Sequence, residues 1–587
     1  MGYQKHDRFC DSRVVLPRFS PRLRSWAGAL ETVCSGPLRR AQISFAAMWA
    51  GESAFMVSLA VVAFRDGGVA AVGVVTAVRM ATAALLTPFL ATMADRVRRE
   101  RVLAGIGIVR AAMLACAAVV TGTGGPPAAT YGFAVVATVA LALYRPAHSA
   151  LLPALANSPR DLTSANAVRG MLDSLATFGG PVAAAALLAV SGPAVVFAAC
   201  SAASLLGGLV VVALPYDTPP RVNPARGSTG RDILEGFRTI AGDRRLSLIT
   251  MLGVVQTFTR GCLTVFAVVL AIDLLDTGDP GVGVLNSAVG AGGVLGSLVA
   301  FALVRRGGLA TWFGVGVALF GAPLALIGAV PEQATTIVLL GIVGVGNALI
   351  DVGGFTMLAR LTDEAVLART FAGFEAILTL GVAFGGLVAP LAIEVLGVRP
   401  ALVAVGLLAP AAVAASRTAL RRLDGEMRVR DADIEILRAV PMLGALPAAT
   451  IEQLGAGLER AEFAPGQVVF EQGDRADRFY VVEFGRAEVV RHGRLVNTLV
   501  HGDGFGEVAL LGDRPRTATI RASAHVPLRV AILERQAFLT AVTGYPVSAT
   551  AGHDVVARIQ ARDAAYLPAA PDDGGEPLAE TAEGSAS

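Results

Sequence analysis

Long apolar runs dominate the first two-thirds of the chain. Between about residues 41 and 415, stretches of some twenty residues with few charges recur, each long enough to cross a hydrocarbon layer of ~30 Å as a helix. The pattern predicts twelve spans, at 42–64, 69–94, 102–122, 129–155, 165–190, 194–214, 246–273, 281–303, 311–330, 334–358, 369–392 and 396–416. A polar interval, 215–245, divides them six and six. It opens with Pro219, Pro220, Pro224 and Gly227, then turns amphipathic through Asp232, Ile233, Leu234, Phe237 and Ile240, which predicts a helix on the membrane face. After residue 416 the pattern changes. A charged connector at 417–435 predicts a helical linker. From about 436 to 545, brief β-branched and aromatic runs (Val468 to Phe470, Phe479 to Val482, Ala487 to Val490, Leu528 to Leu533) alternate with turn residues, predicting short antiparallel strands. A helix is expected near Arg535–Val542, and a lid helix at about 547–562 in the segment 546–587. The residues from Asp572 to Ser587 are too rich in Gly, Glu, Ala and Ser to bury a core, and disorder is expected there.

Composition agrees with this division. The chain is 54% hydrophobic and 16% charged, where soluble domains carry about a quarter charged residues. Basic residues cluster after even-numbered spans: Arg96, Arg98, Arg99 and Arg101, then Arg160, then Arg221 to Arg245, then Arg305, Arg306 and Arg360. The odd connections hold only Arg65 and Arg399, beside Asp66, Asp276 and Asp279. The positive-inside rule then puts the even connections and both termini in the cytoplasm of a multi-pass protein, expected in the plasma membrane. The basic arm 1–40 lacks an apolar h-region and does not read as a secretory signal. A net charge of +3 gives no reason to expect nucleic acid as a partner. Five scattered cysteines and six histidines form no disulfide framework, metal site or catalytic triad, and no Walker lysine motif occurs. An enzyme, a metal and a cofactor are therefore not expected.

Charges within apolar runs cost at least about 2–3 kcal/mol at membrane depth and normally face a cavity or a partner. Glu52 lies mid-span with no charge near it in sequence, and is the first candidate for proton coupling. Asp351 is the second. The alternative for Glu52 is a fixed ion pair with Arg79 or Arg110, and Arg110 joins the transport candidates on that ground. Arg145, Arg169 with Asp173 at i,i+4, Arg260 and Glu375 complete the set, with Gln256, Thr257, Thr259 and Asn347 as possible cavity-lining polar residues.

In the tail, Gly504 to Ile520 reads G-F-G-E-V-A-L-L-G-D-R-P-R-T-A-T-I. Small residues at Gly506, Ala509 and Ala518 let a ligand approach the backbone, Arg516 offers a planar fork to phosphate oxygens, and Glu507 can accept from a hydroxyl. The stretch resembles the phosphate-binding cassette of cyclic-nucleotide-binding domains. That resemblance implies that Glu507 holds the ribose 2′-hydroxyl and Arg516 the cyclic phosphate, with Gly506, Val508, Ala509, Thr517 and Ala518 completing the site. The family's turn positions fall at Gly473, Gly485 and Gly506, and its opening helix at Val440 to Leu443. Thr517 does not by itself separate cAMP from cGMP; cAMP is taken as the expected ligand.

The connection after the second span, Ala91-Thr92-Met93-Ala94-Asp95-Arg96-Val97-Arg98-Arg99, resembles motif A of the major facilitator superfamily. Asp95 and Arg96 match; Ala91 and Arg98 stand where the family has Gly. The resemblance implies a latch between the halves at Asp95 and Arg96. The expected fold is a membrane all-α domain at 41–416, with twelve transmembrane helices in halves 41–214 and 246–416. A soluble β-roll or jelly-roll cyclic-nucleotide-binding domain at 436–545, with flanking helices, follows it. The expected function is secondary active transport, as a proton-coupled exporter (an antiporter) of a drug-like or siderophore-like small molecule regulated by cyclic nucleotide. The alternative is a membrane-anchored receptor without transport. A transcription regulator is disfavoured, because about 40 residues follow the roll without a helix-turn-helix pattern.

Overall fold

The computed structural model describes residues 36–544 except 95–96, 156–158, 213, 215–228, 305–307, 363–365, 445, 447–449, 452–453 and 456, together with 554 and 557. Residues 1–35 of the basic arm, the motif A pair Asp95 and Arg96, and most of the expected lid helix lie outside the described residues, while residues 36–40 of the arm open the first helix. The chain divides into two compact units, Met1–Asp424 and Gly425–Ser587.

The first unit is helical. Its elements are α1 (Gly36–Ala94), α2 (Arg99–Gly122), α3 (Pro127–Ala142), α4 (Tyr144–Leu155), α5 (Pro159–Val190), α6 (Pro193–Val211), α7 (Thr229–Gly242), α8 (Arg244–Val269), α9 (Gly278–Val304), α10 (Leu309–Ala329), α11 (Gln333–Leu361), α12 (Leu367–Leu396) and α13 (Val398–Ala439). Eleven helices among the described residues are long and apolar enough to cross a membrane. The first of them holds two of the expected spans. Gly67 and Gly68 break α1 with non-helical angles, and Gly68 (φ 62°, ψ −150°) occupies a region closed to residues with a Cβ. The turn between the first two spans is therefore only two residues long. The last span does not stop at 416: α13 runs on to Ala439 and takes the expected linker into the same helix.

Glycines let helices meet backbone to backbone, as the Gly-rich runs foretell. A Cβ on Gly292 of α9 would lie 1.8 Å from the Gly341 carbonyl oxygen of α11, and one on Gly344 would lie 1.9 Å from that of Val289. The amphipathic helix α7 packs on α12. A Cβ on Gly236 would sit 2.2 Å from the Arg369 carbonyl oxygen, and Arg369 pairs with Glu235 at 2.5 Å.

The second unit is an antiparallel roll of two four-stranded sheets, ordered β1-β8-β3-β6 and β2-β7-β4-β5. The strands are β1 (Glu459–Phe463), β2 (Val468–Phe470), β3 (Arg478–Phe484), β4 (Ala487–Arg491), β5 (Arg494–Leu499), β6 (Gly504–Phe505), β7 (Thr519–Ala522) and β8 (Leu528–Glu534). Helices α14 (Pro441–Gly444), α15 (Glu507–Leu511) and α16 (Arg535–Thr543) flank them. The unbroken apolar run in β3 has a simple cause. Side chains alternate faces along a strand, and here both faces are covered. Phe479 and Val481 pack with Leu437, Leu443 and Phe538 in a core shared with the helices. Tyr480 and Val482 point between the sheets, with Phe505, Ile520 and Val530.

Candidate functional site

All seven expected cassette residues, Gly506, Glu507, Val508, Ala509, Arg516, Thr517 and Ala518, line one cavity of about 650 Å³ in the second unit. Its other walls come from Phe470, from Val489 and Asn497 on the β4–β5 hairpin, and from Val440 to Met442. Two elements deliver the polar groups. Gly506 leaves β6 in the left-handed region (φ 94°) and starts α15, whose first residue is Glu507. The loop before β7 brings Arg516 back: its backbone N donates to Asp474 O (2.8 Å), and its carbonyl accepts from Gly473 N (2.9 Å).

Arg516 is only 3% exposed. Its Nη1 donates to Gly506 O at 3.0 Å and its Nη2 to Arg478 O at 2.7 Å. The guanidinium lies over the Phe470 ring at 4.2 Å and is 5.7 Å from the Tyr480 ring. These contacts fix the plane of the fork, as a bidentate anion site requires. Gly506 is essential to the arrangement, because a Cβ there would fall 2.5 Å from Arg516 Nη1. The Nε of Arg516 is buried without a hydrogen-bond partner. Burial lowers the pKa of this guanidinium, and Tyr480 and Asp477 oppose the shift.

Glu507 is equally buried, and its Oε2 also lacks a partner. Burial pushes its carboxyl pKa up to about 7, against the lowering effects of its backbone hydrogen bond and of Arg516. Two buried polar groups with unused capacity, one a donor and one an acceptor, are expensive unless a ligand uses them. Their chemistry fits a ligand carrying an anion and a hydroxyl.

The sequence pattern did not single out Phe470 and Tyr480 for this site. Both read as ordinary core aromatics, and their role under Arg516 arises from the pairing of sheets. The turn glycines Gly473 and Gly485 have φ values of 101° and 91°.

In the membrane unit, Glu52 meets two arginines. Its Oε2 pairs with Arg110 Nη2, and its Oε1 lies 3.5 Å from Arg79 Nη2. Arg110 is fully buried, and both guanidiniums pack on the Phe55 ring, at 5.4 Å for Arg110 and 5.0 Å for Arg79. The arrangement is the ion-pair alternative weighed for Glu52, made with both partners. Asp351 lies apart from it, accepting from Asn347 Nδ2 at 2.9 Å. Thr257 and Thr259 are buried and donate to carbonyls of their own helix. Asp173 pairs with Arg145 at 3.1 Å rather than with Arg169, which donates to Ser149 Oγ.

Residues 43–277 match the Major Facilitator Superfamily, and residues 460–545 match the cyclic nucleotide-binding domain. The cAMP-dependent protein kinase regulatory subunit of Schizosaccharomyces pombe is 30% identical over 208 residues, covering 34% of this chain and 48% of that protein. The Yarrowia lipolytica regulatory subunit is 41% identical over 118 residues, covering 20% of this chain and 31% of that protein. The chain thus spans less than half the length of these relatives. Among solved structures, the nucleoside transporter NupG, as a point mutant, is 14% identical; the match covers 65% of this chain and 98% of that one, with a TM-score of 0.55. This last likeness is one of fold, and it accounts for the long apolar helices. The chain carries a Major Facilitator Superfamily domain in a multi-pass membrane region, followed by a cyclic nucleotide-binding domain.

Proposed function

We propose that the protein is a secondary transporter whose activity is set by a cyclic nucleotide bound in the second unit, cAMP in preference to cGMP. The observation that carries the reading is the pairing of Arg516 and Glu507 in one cavity, each buried and each with an unused polar atom. A cyclic phosphate matches the guanidinium fork, and a ribose hydroxyl supplies the donor that the Glu507 carboxylate needs. The curated relatives named above are cAMP-dependent kinase regulatory subunits, which supports cAMP. Regulation requires that the nucleotide bind one transport conformation more tightly than another.

Proton-coupled export is part of the proposal, with both termini cytoplasmic in the plasma membrane. Glu52 is already matched by two guanidiniums, so Asp351, whose hydrogen-bond partner is the neutral Asn347, is the better proton carrier. The test is titration calorimetry of the purified protein with cAMP and cGMP, followed by flux in proteoliposomes with nucleotide on either side. Saturable cAMP binding that alters flux is expected. No heat with either nucleotide ends the sensor reading, and binding without any flux leaves a receptor.

A further inference from the structure

The membrane unit holds a second cluster of ionisable side chains, separate from the Glu52 ion pair. Its members come from five helices: Arg145 on α4, Asp173 on α5, Arg260 on α8, Asp351 on α11 and Glu375 on α12. The first two belong to the first six spans, the other three to the second six. Asp351 is within electrostatic range of the other four, and Glu375 of both arginines. Arg145, Arg260, Asp351 and Glu375 are all exposed, although each lies in a membrane-length apolar segment. Side chains that converge from both halves and remain exposed face an internal polar space, where a charge is tolerated, rather than lipid.

The charges in this space are unequally matched. Arg145 pairs with Asp173 at 3.1 Å and rests on the Trp49 ring at 4.7 Å. Asp351 has only a neutral partner, Asn347, which Gln256 approaches at 3.4 Å. Among the described residues, the side chains of Arg260 and Glu375 make no hydrogen bond or ion pair. Of these five, one guanidinium and two carboxylates remain without a direct counter-charge; Arg169, beside Arg145 and Asp173, donates to Ser149 Oγ.

Resting on the transporter reading above, we propose that this cluster binds a small zwitterion, its anionic group toward Arg260 and its cationic group toward Asp351 and Glu375. An apolar cargo would desolvate all three charges and match none. A simple cation would leave Arg260 unmatched, and a simple anion would be repelled by the two carboxylates. The cargo class departs from the apolar, drug-like compound that the composition of the spans suggests.

Trp49 supplies the reporter. The chain has three tryptophans; with Trp26→Phe and Trp312→Phe in the full-length protein, Trp49 emission reads the cluster through Arg145. The probes are free amino acids and dipeptides, each with its C-amidated form (cation only) and N-acetylated form (anion only). At least one zwitterion is expected to shift Trp49 emission saturably, with both blocked forms weaker by at least about tenfold, the loss of one charged hydrogen bond. Arg260→Gln should weaken the zwitterion to the level of its amide, and Glu375→Gln to the level of its acetyl form, while Arg260→Lys restores part of the loss. A monodisperse gel-filtration peak from the same preparations controls for folding of the membrane unit. Equal binding of zwitterion and amide, an unchanged affinity in Arg260→Gln, or no zwitterion binding at millimolar concentration overturns the proposal. Counterflow in proteoliposomes separates the two readings. Zwitterion binding without flux sinks transport and leaves the site; flux of an uncharged cargo without zwitterion binding does the reverse.

Discussion

Replacing Glu507 by Gln should strengthen the ligand-free second unit while weakening its hold on cyclic nucleotide. The carboxyl is 3% exposed, and burial moves its pKa from the usual 4.5 to about 7. The folded pKa lies above the unfolded one. The contribution of the protonated carboxyl is therefore fully present below pH 4.5 and is lost as pH rises to about 7. At about 1.4 kcal/mol for each pH unit, the wild-type chain loses roughly 2 kcal/mol by pH 6 and about 3 kcal/mol above pH 7. Gln does not titrate, so Glu507→Gln should gain on the wild type by those amounts across that window. Other carboxylates titrate in both proteins and cancel in the difference. Urea unfolding of Gly425–Ser587 at several pH values between 4.5 and 8 measures the gap. The same substitution removes a charged acceptor and should cost at least about tenfold in cAMP affinity. A stability difference that stays flat with pH, or an unchanged cAMP affinity, refutes the argument.

Arg516→Ala should abolish measurable cAMP binding in calorimetry, and by leaving the Gly506 and Arg478 carbonyls unpaired it should also cost about 1–3 kcal/mol of stability. Gly506→Ala, which retains every polar group of the site, should reduce cAMP affinity by about tenfold or more, because its Cβ displaces Arg516 and its φ of 94° is strained for alanine. Arg110→Ala should destabilise the detergent-solubilised protein by about 1–3 kcal/mol by leaving Glu52 with Arg79 alone, with Glu52→Gln in the same chain recovering part of the loss; additive thermal shifts would disprove the pair. Gly292→Val should prevent assembly of the membrane unit, read as loss of the monodisperse peak on gel filtration, since its side chain meets the Gly341 carbonyl.

The parts of this protein legible in its sequence are those governed by local rules. Span length follows from the thickness of a bilayer, and each of the twelve runs overlaps an observed helix, the fourth being divided between α3 and α4. The cassette was visible because Gly506, Glu507, Pro515 and Arg516 lie close together in one stretch. What was hidden depends on partners far away in sequence. For Glu52 the sequence offers Arg79 or Arg110 only as an alternative to a lone carboxylate, and nothing near Arg516 announces Phe470. The hydroxyls of Thr257 and Thr259 look like cavity groups on paper, yet a helix lets each return to the carbonyl four residues back. Strand β1, with its charged Glu459, Arg460 and Glu462, lacks an apolar run and shows itself only by pairing with β8.

The two-glycine turn inside α1 has a mechanical consequence. It leaves Arg65 and Asp66 side by side at the turn with no loop to absorb strain. Arg65 reaches Asp279 in the second group of six helices, while Asp66 accepts from Tyr131 Oη at 2.8 Å within its own group. Both anchors sit at the end of the first span, ahead of the glycines: Asp66 ties that end to its own group and Arg65 hooks it to the other. Parting the two groups at this end must unhook Arg65 while Tyr131 keeps Asp66 in place.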